Sequence, residues 1–228
     1  MIENAAIAKP RLGIYEVAAR IAVVFSAAFL ALLFSLHFLE PEFDPSWRMI
    51  SEYAIGRYGW VMTLAFFCWG TSVLALQVAL WPSLRTTSGK IGRWWFALIG
   101  LALFGAAIFK TNAIINPTPS TVNDLHRLCG TIVIMTFPIA ASLVTGSLVK
   151  NQEWTTARHQ LRWGRLLVWL GLLAFLGSII ISHAIHPSAG RVGPEVLMGW
   201  PNRFMVLVYH LWLIVIALRA PSPVPVPP

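Results

Sequence analysis

Two histidines three positions apart, His183 and His186, have the spacing that most directly suggests chemistry. If a helix continues up to Pro187, both rings lie on one helical face. His126, with Asp124 beside it, could add ligands from another segment. Zinc commonly takes three protein ligands and holds a water molecule in the fourth position, which it acidifies. We therefore consider zinc as a cofactor, held by His126, His183 and His186. The alternative is that these histidines are solvated or bonded to backbone carbonyls.

A second set of residues suits nucleophilic and acid–base chemistry. Ser51 and Glu52 lie between the first two apolar runs of the chain, and Asp124 and His126 lie where the fourth begins. A histidine can activate a serine hydroxyl, and a carboxylate can orient the histidine. We interpret Ser51, Glu52, Asp124 and His126 as candidate catalytic residues. Helix capping or simple hydrogen bonding is the alternative for Ser51.

Three further polar residues are candidates for ligand binding: Asn112, Asn202 and Arg203. Polar groups at membrane depth are costly, and this makes them functional candidates by default. Arg203 could hold a phosphate or a carboxylate through two hydrogen bonds. A structural pair with Glu52 or Asp124 explains the same arginine equally well.

These residues are embedded in a very apolar chain. Of its 228 residues, 57% are hydrophobic and 11% are charged, and the mean hydropathy is +0.69; a soluble domain carries about 25% charged residues. The composition excludes a disordered chain, a coiled coil and an ordinary soluble enzyme. At roughly 20 apolar residues per crossing, it predicts an all-α, polytopic transmembrane bundle of six helices. The predicted spans are 21–39, 60–81, 91–109, 128–149, 166–182 and 204–218.

Basic residues predict the orientation of the bundle. The net charge is +8, but the lysines and arginines lie in loops, which indicates membrane topology and not nucleic-acid binding. Eleven of the seventeen lie in the two termini and the second and fourth loops. The positive-inside rule therefore predicts a multi-pass inner-membrane protein with both termini cytoplasmic. We divide the chain into an N-terminal segment 1–17, a transmembrane domain 18–219 and a disordered, proline-rich tail 220–228.

Three short stretches resemble a known family of bacterial and archaeal membrane proteins. They are Ile50-Ser51-Glu52-Tyr53 with Gly59-Trp60, Phe109-Lys110-Thr111-Asn112 with Asp124-Leu125-His126, and Gly199-Trp200-Pro201-Asn202-Arg203. The chain is similar here to the family catalogued as domain of unknown function 998, which tends to have proline, aspartate and glutamine at positions 110, 112 and 202. The resemblance covers about Phe43 to Leu218. It implies six helices around an outward polar pocket and brings no established reaction.

Two functional hypotheses follow from these patterns. In the first, the protein is a hydrolase or transferase that modifies a lipid or another amphiphile in the outer pocket. In the second, it is a binding or accessory protein that holds a lipid or a small hydrophobic ligand without turnover. Electron transfer through b-type haem, for which His210 lies deep enough, and transport are weaker alternatives. The sequence leaves the oligomeric state open.

Overall fold

The computed structural model describes residues 13–115, 118–185 and 193–220, and these residues contain six long α-helices and no strand. All six helices are long and apolar enough to cross a membrane. This confirms the predicted all-α architecture with six spans. The helices are α1 (Ile14–Leu39), α2 (Gly59–Ala79), α3 (Thr87–Ile108), α4 (Thr121–Leu148), α5 (Arg158–Ile185) and α6 (Gly199–Arg219).

Each helix begins before the apolar run that predicted it. The α1 and α4 helices begin at Ile14 and Thr121, seven residues before the predicted spans. Hydropathy locates the part of a helix that lies in lipid, whereas capping fixes where the helix starts. At the start of α3, for example, the Thr86 hydroxyl accepts a hydrogen bond from the backbone N–H of Gly89 at 3.1 Å. Residues 221–228 of the predicted tail and residues 1–12 of the predicted N-terminal segment lie outside the described residues.

The six helices form a closed ring. Each packs against its neighbours in sequence, α1 closes the ring against α6, and α2 also touches α6 across it. Of the neighbouring pairs, α4 and α5 touch each other least. The buried core is aromatic near the centre, where Phe137 stacks on Tyr209 with ring centroids 4.2 Å apart.

One end of the ring carries a 3₁₀-helix, Ile50–Ile55, in the segment that joins α1 to α2. We call it the loop helix, and we call this end of the bundle the site end. The loop helix packs on α2 and α6, and its neighbourhood buries Trp47, Ile50 and Ala54. Trp47 precedes the loop helix, and all three side chains are buried in the bundle. The segment therefore packs against the helices at the site end.

Candidate functional site

A cavity of about 740 Å³ opens inside the ring at the site end, within the 300–1,000 Å³ range common for ligand sites. Every helix except α1 contributes to its wall, together with the loop helix and the segment after α3. Apolar side chains form most of the surface, including Phe66, Trp69, Leu103, Val133 and Phe175. Polar residues also line it: Ser51, Glu52, Thr111, Asn112, Asn123, His126, Arg127, Thr131 and Asn202.

His126 is the titratable ring in the cavity wall. It is 5% exposed, and its Nδ1 lies 2.7 Å from the carbonyl oxygen of Phe109 and 3.2 Å from that of Ala106. Both partners are acceptors, so Nδ1 carries the proton and donates it. Nε2 then has a free lone pair, and the hydrogen bonds of His126 to described residues are both made by Nδ1. This tautomer suits a general base or a metal ligand.

Glu52 is a buried carboxylate in the same wall, 2% exposed. Its Oε1 accepts hydrogen bonds from Nη1 of Arg48 at 2.7 Å and from the backbone N–H of Ile114 at 2.9 Å. Its Oε2 is buried and has no partner among the described residues. The bond from Ile114 thus ties the loop helix to the segment after α3, and the Arg48 pair neutralises the carboxylate within the α1–α2 segment. Breaking a buried pair of this kind is costly because it leaves an uncompensated charge.

The segment after α3 is held in place by Asn123. The side-chain Oδ1 of Asn123 accepts hydrogen bonds from the backbone N–H of Asn112 at 2.9 Å and from the Thr111 hydroxyl at 3.3 Å. Asn112 in turn donates from Nδ2 to the carbonyl oxygen of Thr118 at 2.6 Å. Asn112 therefore lines the cavity with its side-chain amide already donating to Thr118.

Asn202 of α6 and Ser51 of the loop helix both line the cavity. Asn202 is 1% exposed, and its Oδ1 accepts a hydrogen bond from the backbone N–H of Ile50 at 3.2 Å. This bond docks the start of the loop helix on α6. Met49 occupies the cap position of the loop helix, without a side-chain hydrogen bond. Ser51 is therefore not its cap, and the Ser51 hydroxyl bonds to no described residue.

Arg203 lies outside the cavity wall, and its guanidinium is used inside the protein. It is 7% exposed, donates from Nε to Nε2 of His37 at 2.9 Å, and donates from Nη2 to the Tyr53 hydroxyl at 3.0 Å. Its Nη1 donates to three backbone carbonyls, those of Pro45, Arg48 and Gly199. It pairs with neither Glu52 nor Asp124. Arg203 therefore fastens the α1–α2 segment to α6.

Two carboxylates in the α1–α2 segment have shifted pKa values. Burial raises the pKa of Glu40, and the nearby Glu42 raises it further. The backbone N–H of Tyr58 donates to Oε1 of Glu40, and this bond lowers the pKa in part. The pKa of Asp44 lies below its ordinary value because the backbone N–H of Ser46 donates to its Oδ1 at 2.8 Å. Both residues support the segment from outside the cavity.

The predicted metal ligands lie in different surroundings. His183 is exposed on α5, where its Nδ1 bonds to the Ile179 carbonyl at 2.8 Å. Asp124 is exposed in the first turn of α4 and does not line the cavity, and His186 lies outside the described residues. Within residues 13–115, 118–185 and 193–220, no three His, Cys, Asp or Glu side chains come together as a metal site. The zinc site stays a prediction that depends on His186.

His210, considered for haem, is surrounded by other groups. Its ring is fully buried, stacks on Phe29 with centroids 4.1 Å apart, and lies 4.8 Å from the Trp69 ring. Its Nδ1 is 2.8 Å from the Ser26 hydroxyl. The two rings and the hydroxyl pack His210 as part of the bundle core.

Sequence reasoning missed three residues of the site. Arg127 lines the cavity, Arg48 neutralises Glu52, and Asn123 holds the adjoining loop. Asn123 and Arg127 are neighbours in sequence of Asp124 and His126. Helical spacing from His126 could have identified Asn123. Asn123 lies three residues before His126 and so shares its helical face, whereas Asp124 does not share that face.

Comparison with known proteins identifies a family for the chain. A family model described as "Protein of unknown function (DUF998)" matches residues 21–219. No curated protein and no solved structure matches the chain.

Proposed function

Since the chain belongs to the DUF998 family of proteins of unknown function, we propose its activity from the cavity: it binds a lipid or another amphiphile there and catalyses hydrolysis or transfer at an ester, amide or phosphoester bond. His126 is the base in this proposal. One observation carries it, the His126 ring with Nδ1 bonded to two backbone carbonyls and Nε2 unpartnered among the described residues of the cavity.

The cavity suits an amphiphile because its polar and apolar lining residues lie at different depths along the bundle axis. Ser51, Glu52 and Asn112 are contributed by the segments that close the site end, whereas Phe66, Trp69 and Phe175 lie within the helices. A ligand would place its polar group at the site end and its apolar part between the helices. Burial of apolar surface then supplies most of the binding free energy.

A simple hydrolytic step is consistent with this geometry. His126 Nε2 takes a proton from a water molecule, whose oxygen attacks the carbonyl carbon of the bound ester. The bond from that carbon to the leaving oxygen breaks, and the proton on Nε2 passes to the leaving alcohol. An acid and an alcohol result, and His126 returns to its starting state.

The other candidate residues have supporting roles in the proposal. Ser51 and the Asn202 amide contribute hydrogen bonds to the ligand's polar group, and Glu52 fixes the loop helix. The distribution of lysine and arginine favours a site end on the extracytoplasmic side of an inner membrane. Ligand and substrate would then come from that side.

Ligand occupancy is the first test, and the chain offers a matched pair of variants. Gly130 and Gly146 both lie in α4 with open space around an added Cβ, but only Gly130 lines the cavity. In detergent, titration with a dansyl-labelled fatty acid should give saturable fluorescence enhancement. Gly130→Leu should weaken binding by about tenfold, because it displaces ligand from the cavity, and Gly146→Leu should leave it unchanged. Equal binding by both variants would contradict the proposed cavity.

Turnover is the second test. With a chromogenic nitrophenyl ester of octanoic acid as probe, His126→Asn should lower kcat by about 10²–10⁴-fold, the usual contribution of a general base. His159→Asn, which changes an exposed histidine at the opposite end of the bundle, is the control.

A non-catalytic binding role is the second candidate function. The absence of a hydrogen bond between Ser51 and His126, both of which are described, favours it, since such a bond would join a nucleophile to its base. Saturable binding of the fatty acid, with ester turnover equal in wild type and His126→Asn, would select this role.

A further inference from the structure

The lining of the cavity indicates an opening along the side of the bundle as well as at its end. Three residues of α4 both line the cavity and have exposed side chains: Arg127, Thr131 and Met135. They lie four residues apart and therefore form one row along the helix. At 1.5 Å per residue, the row is about 12 Å long.

The facing wall of this opening belongs to α5. Phe175 and Ile179, also four residues apart, line the cavity from that helix. The α4 and α5 helices are the neighbours that touch each other least around the ring. Between them lies an elongated opening, the α4–α5 slit, defined by Arg127, Thr131 and Met135 on one side and Phe175 and Ile179 on the other.

The chemistry of the slit changes along its length. Met135, Phe175 and Ile179 make its deep part apolar, and Thr131 is intermediate. Arg127, at the site end, is exposed, and the ion pairs among the described residues involve other arginines, Arg20 and Arg48. An unpaired guanidinium beside a narrow apolar opening matches the junction between a phosphate and an acyl chain.

We propose that the α4–α5 slit admits a membrane phospholipid with an anionic headgroup directly from the bilayer. One acyl chain lies between α4 and α5, and the phosphate bonds to Arg127. The inference rests on the proposed function and names its ligand class. A slit along the helices lets the lipid enter while its chains stay in the apolar phase, whereas an opening at the end alone would require the chains to cross water.

The experiment uses the full-length protein in detergent and two named lipids, phosphatidylglycerol and phosphatidylcholine, with the retained lipid counted by native mass spectrometry. Wild type should retain phosphatidylglycerol with about tenfold higher apparent affinity, the effect of one hydrogen-bonded charge pair. Phosphatidylcholine carries the same phosphate, but its choline cation offsets the phosphate charge. Arg127→Gln should therefore abolish the preference by lowering retention of phosphatidylglycerol to about that of phosphatidylcholine. Thr131→Trp should lower retention of both lipids, because the indole closes the slit.

Leu128→Trp is the matched control. Leu128 is exposed on α4 next to Arg127 and does not line the cavity, so its variant should retain both lipids as wild type does. Met135→Trp repeats the block at a second exposed position, and thermal unfolding of each variant shows that it is folded. Equal retention by folded Thr131→Trp, Met135→Trp and wild type would overturn lateral entry. Equal retention of both lipids by wild type would overturn the anionic preference.

The outcomes separate this inference from the proposed function. Wild type that binds the dansyl fatty acid but retains neither phospholipid would overturn the slit as a lipid entrance and leave the cavity proposal standing. Failure of all three ligands would overturn both. A membrane protein that copurifies with wild type and is displaced by Thr131→Trp would show that the slit docks a partner helix, and would also overturn the inference.

Discussion

The hydroxyl of Tyr209 in α6 donates a hydrogen bond to the backbone carbonyl of Ile134 in α4, across 3.0 Å. That carbonyl lies four residues before Pro138, which has no N–H to donate to it. A tyrosine from another helix thus satisfies a backbone group that the proline leaves unpaired. An unpaired group in lipid would be costly. The same carbonyl belongs to a cavity-lining residue, so this bond also supports the site.

A double-mutant cycle should expose this compensation. Tyr209→Phe keeps the ring stacked on Phe137 but removes the donor, and it should lower the free energy of unfolding by about 1 kcal/mol. In a Pro138→Ala background the new N–H bonds to Ile134, so the same Tyr209→Phe change should cost much less. Unfolding in sodium dodecyl sulfate measures all four variants, and additive effects would contradict the compensation.

Arg203 should behave as a structural fastener. Arg203→Gln breaks its bonds to His37, Tyr53 and the backbone, and should destabilise the protein by about 1–3 kcal/mol, the usual cost of leaving buried hydrogen-bond partners unpaired. Backbone hydrogen exchange should rise at residues 45–53 before it rises elsewhere. Arg57→Gln, an exposed arginine in the same segment, is the control and should change neither quantity. Unchanged exchange at 45–53 in Arg203→Gln would contradict this role.

Gly199 should tolerate no side chain. Its N–H donates to the Ser46 carbonyl at 2.9 Å, and an added Cβ would lie 2.7 Å from the Trp47 nitrogen and against the Pro45 carbonyl. These are backbone atoms, so Gly199→Ala should cost about 1–3 kcal/mol through overpacking. Gly177→Ala, in open space on α5, should be neutral or stabilising by about 1 kcal/mol. Thermal unfolding compares them, and equal melting temperatures would refute the close approach.

Protonation of Glu40 should make the protein more stable as the pH falls. Its pKa is raised in the fold, chiefly by burial, so the folded state binds a proton more tightly than the unfolded state. Ionised Glu40 is therefore unfavourable at neutral pH, and protonation through its folded pKa relieves this. Glu40→Gln, which keeps an acceptor for the Tyr58 N–H, should melt above wild type at neutral pH. The difference should shrink on acidification, and a difference that grows would show a lowered pKa instead.

Elemental analysis of tag-free protein tests the zinc prediction. A site built from His126, His183 and His186 should hold about one zinc per chain. Substituting any one of the three histidines with alanine should remove the metal, and His159→Ala should retain it. Zinc that persists in His183→Ala would exclude the predicted ligand set. If esterase turnover stays complete after a chelator removes the zinc, His126 acts as a base without a metal.

The sequence by itself determined the membrane architecture. Length, hydropathy and the need of every backbone group for a partner inside lipid leave helices as the solution for a chain this apolar. The stretch Gly199-Trp200-Pro201-Asn202-Arg203 and the pair Ser51-Glu52, which the sequence offered as candidates, both lie at the site end of the structure. These signals are local, because each depends on residues close together in the chain.

Only the tertiary structure decided which polar residues meet. It gave His126 the carbonyls of Phe109 and Ala106, gave Glu52 the partner Arg48, and directed Arg203 to His37 in place of a ligand. Asp124 turned outward, whereas Asn123 beside it turned inward. Such choices depend on how each helix is rotated about its axis. Packing between helices distant in sequence sets that rotation, which hydropathy along a single chain does not encode.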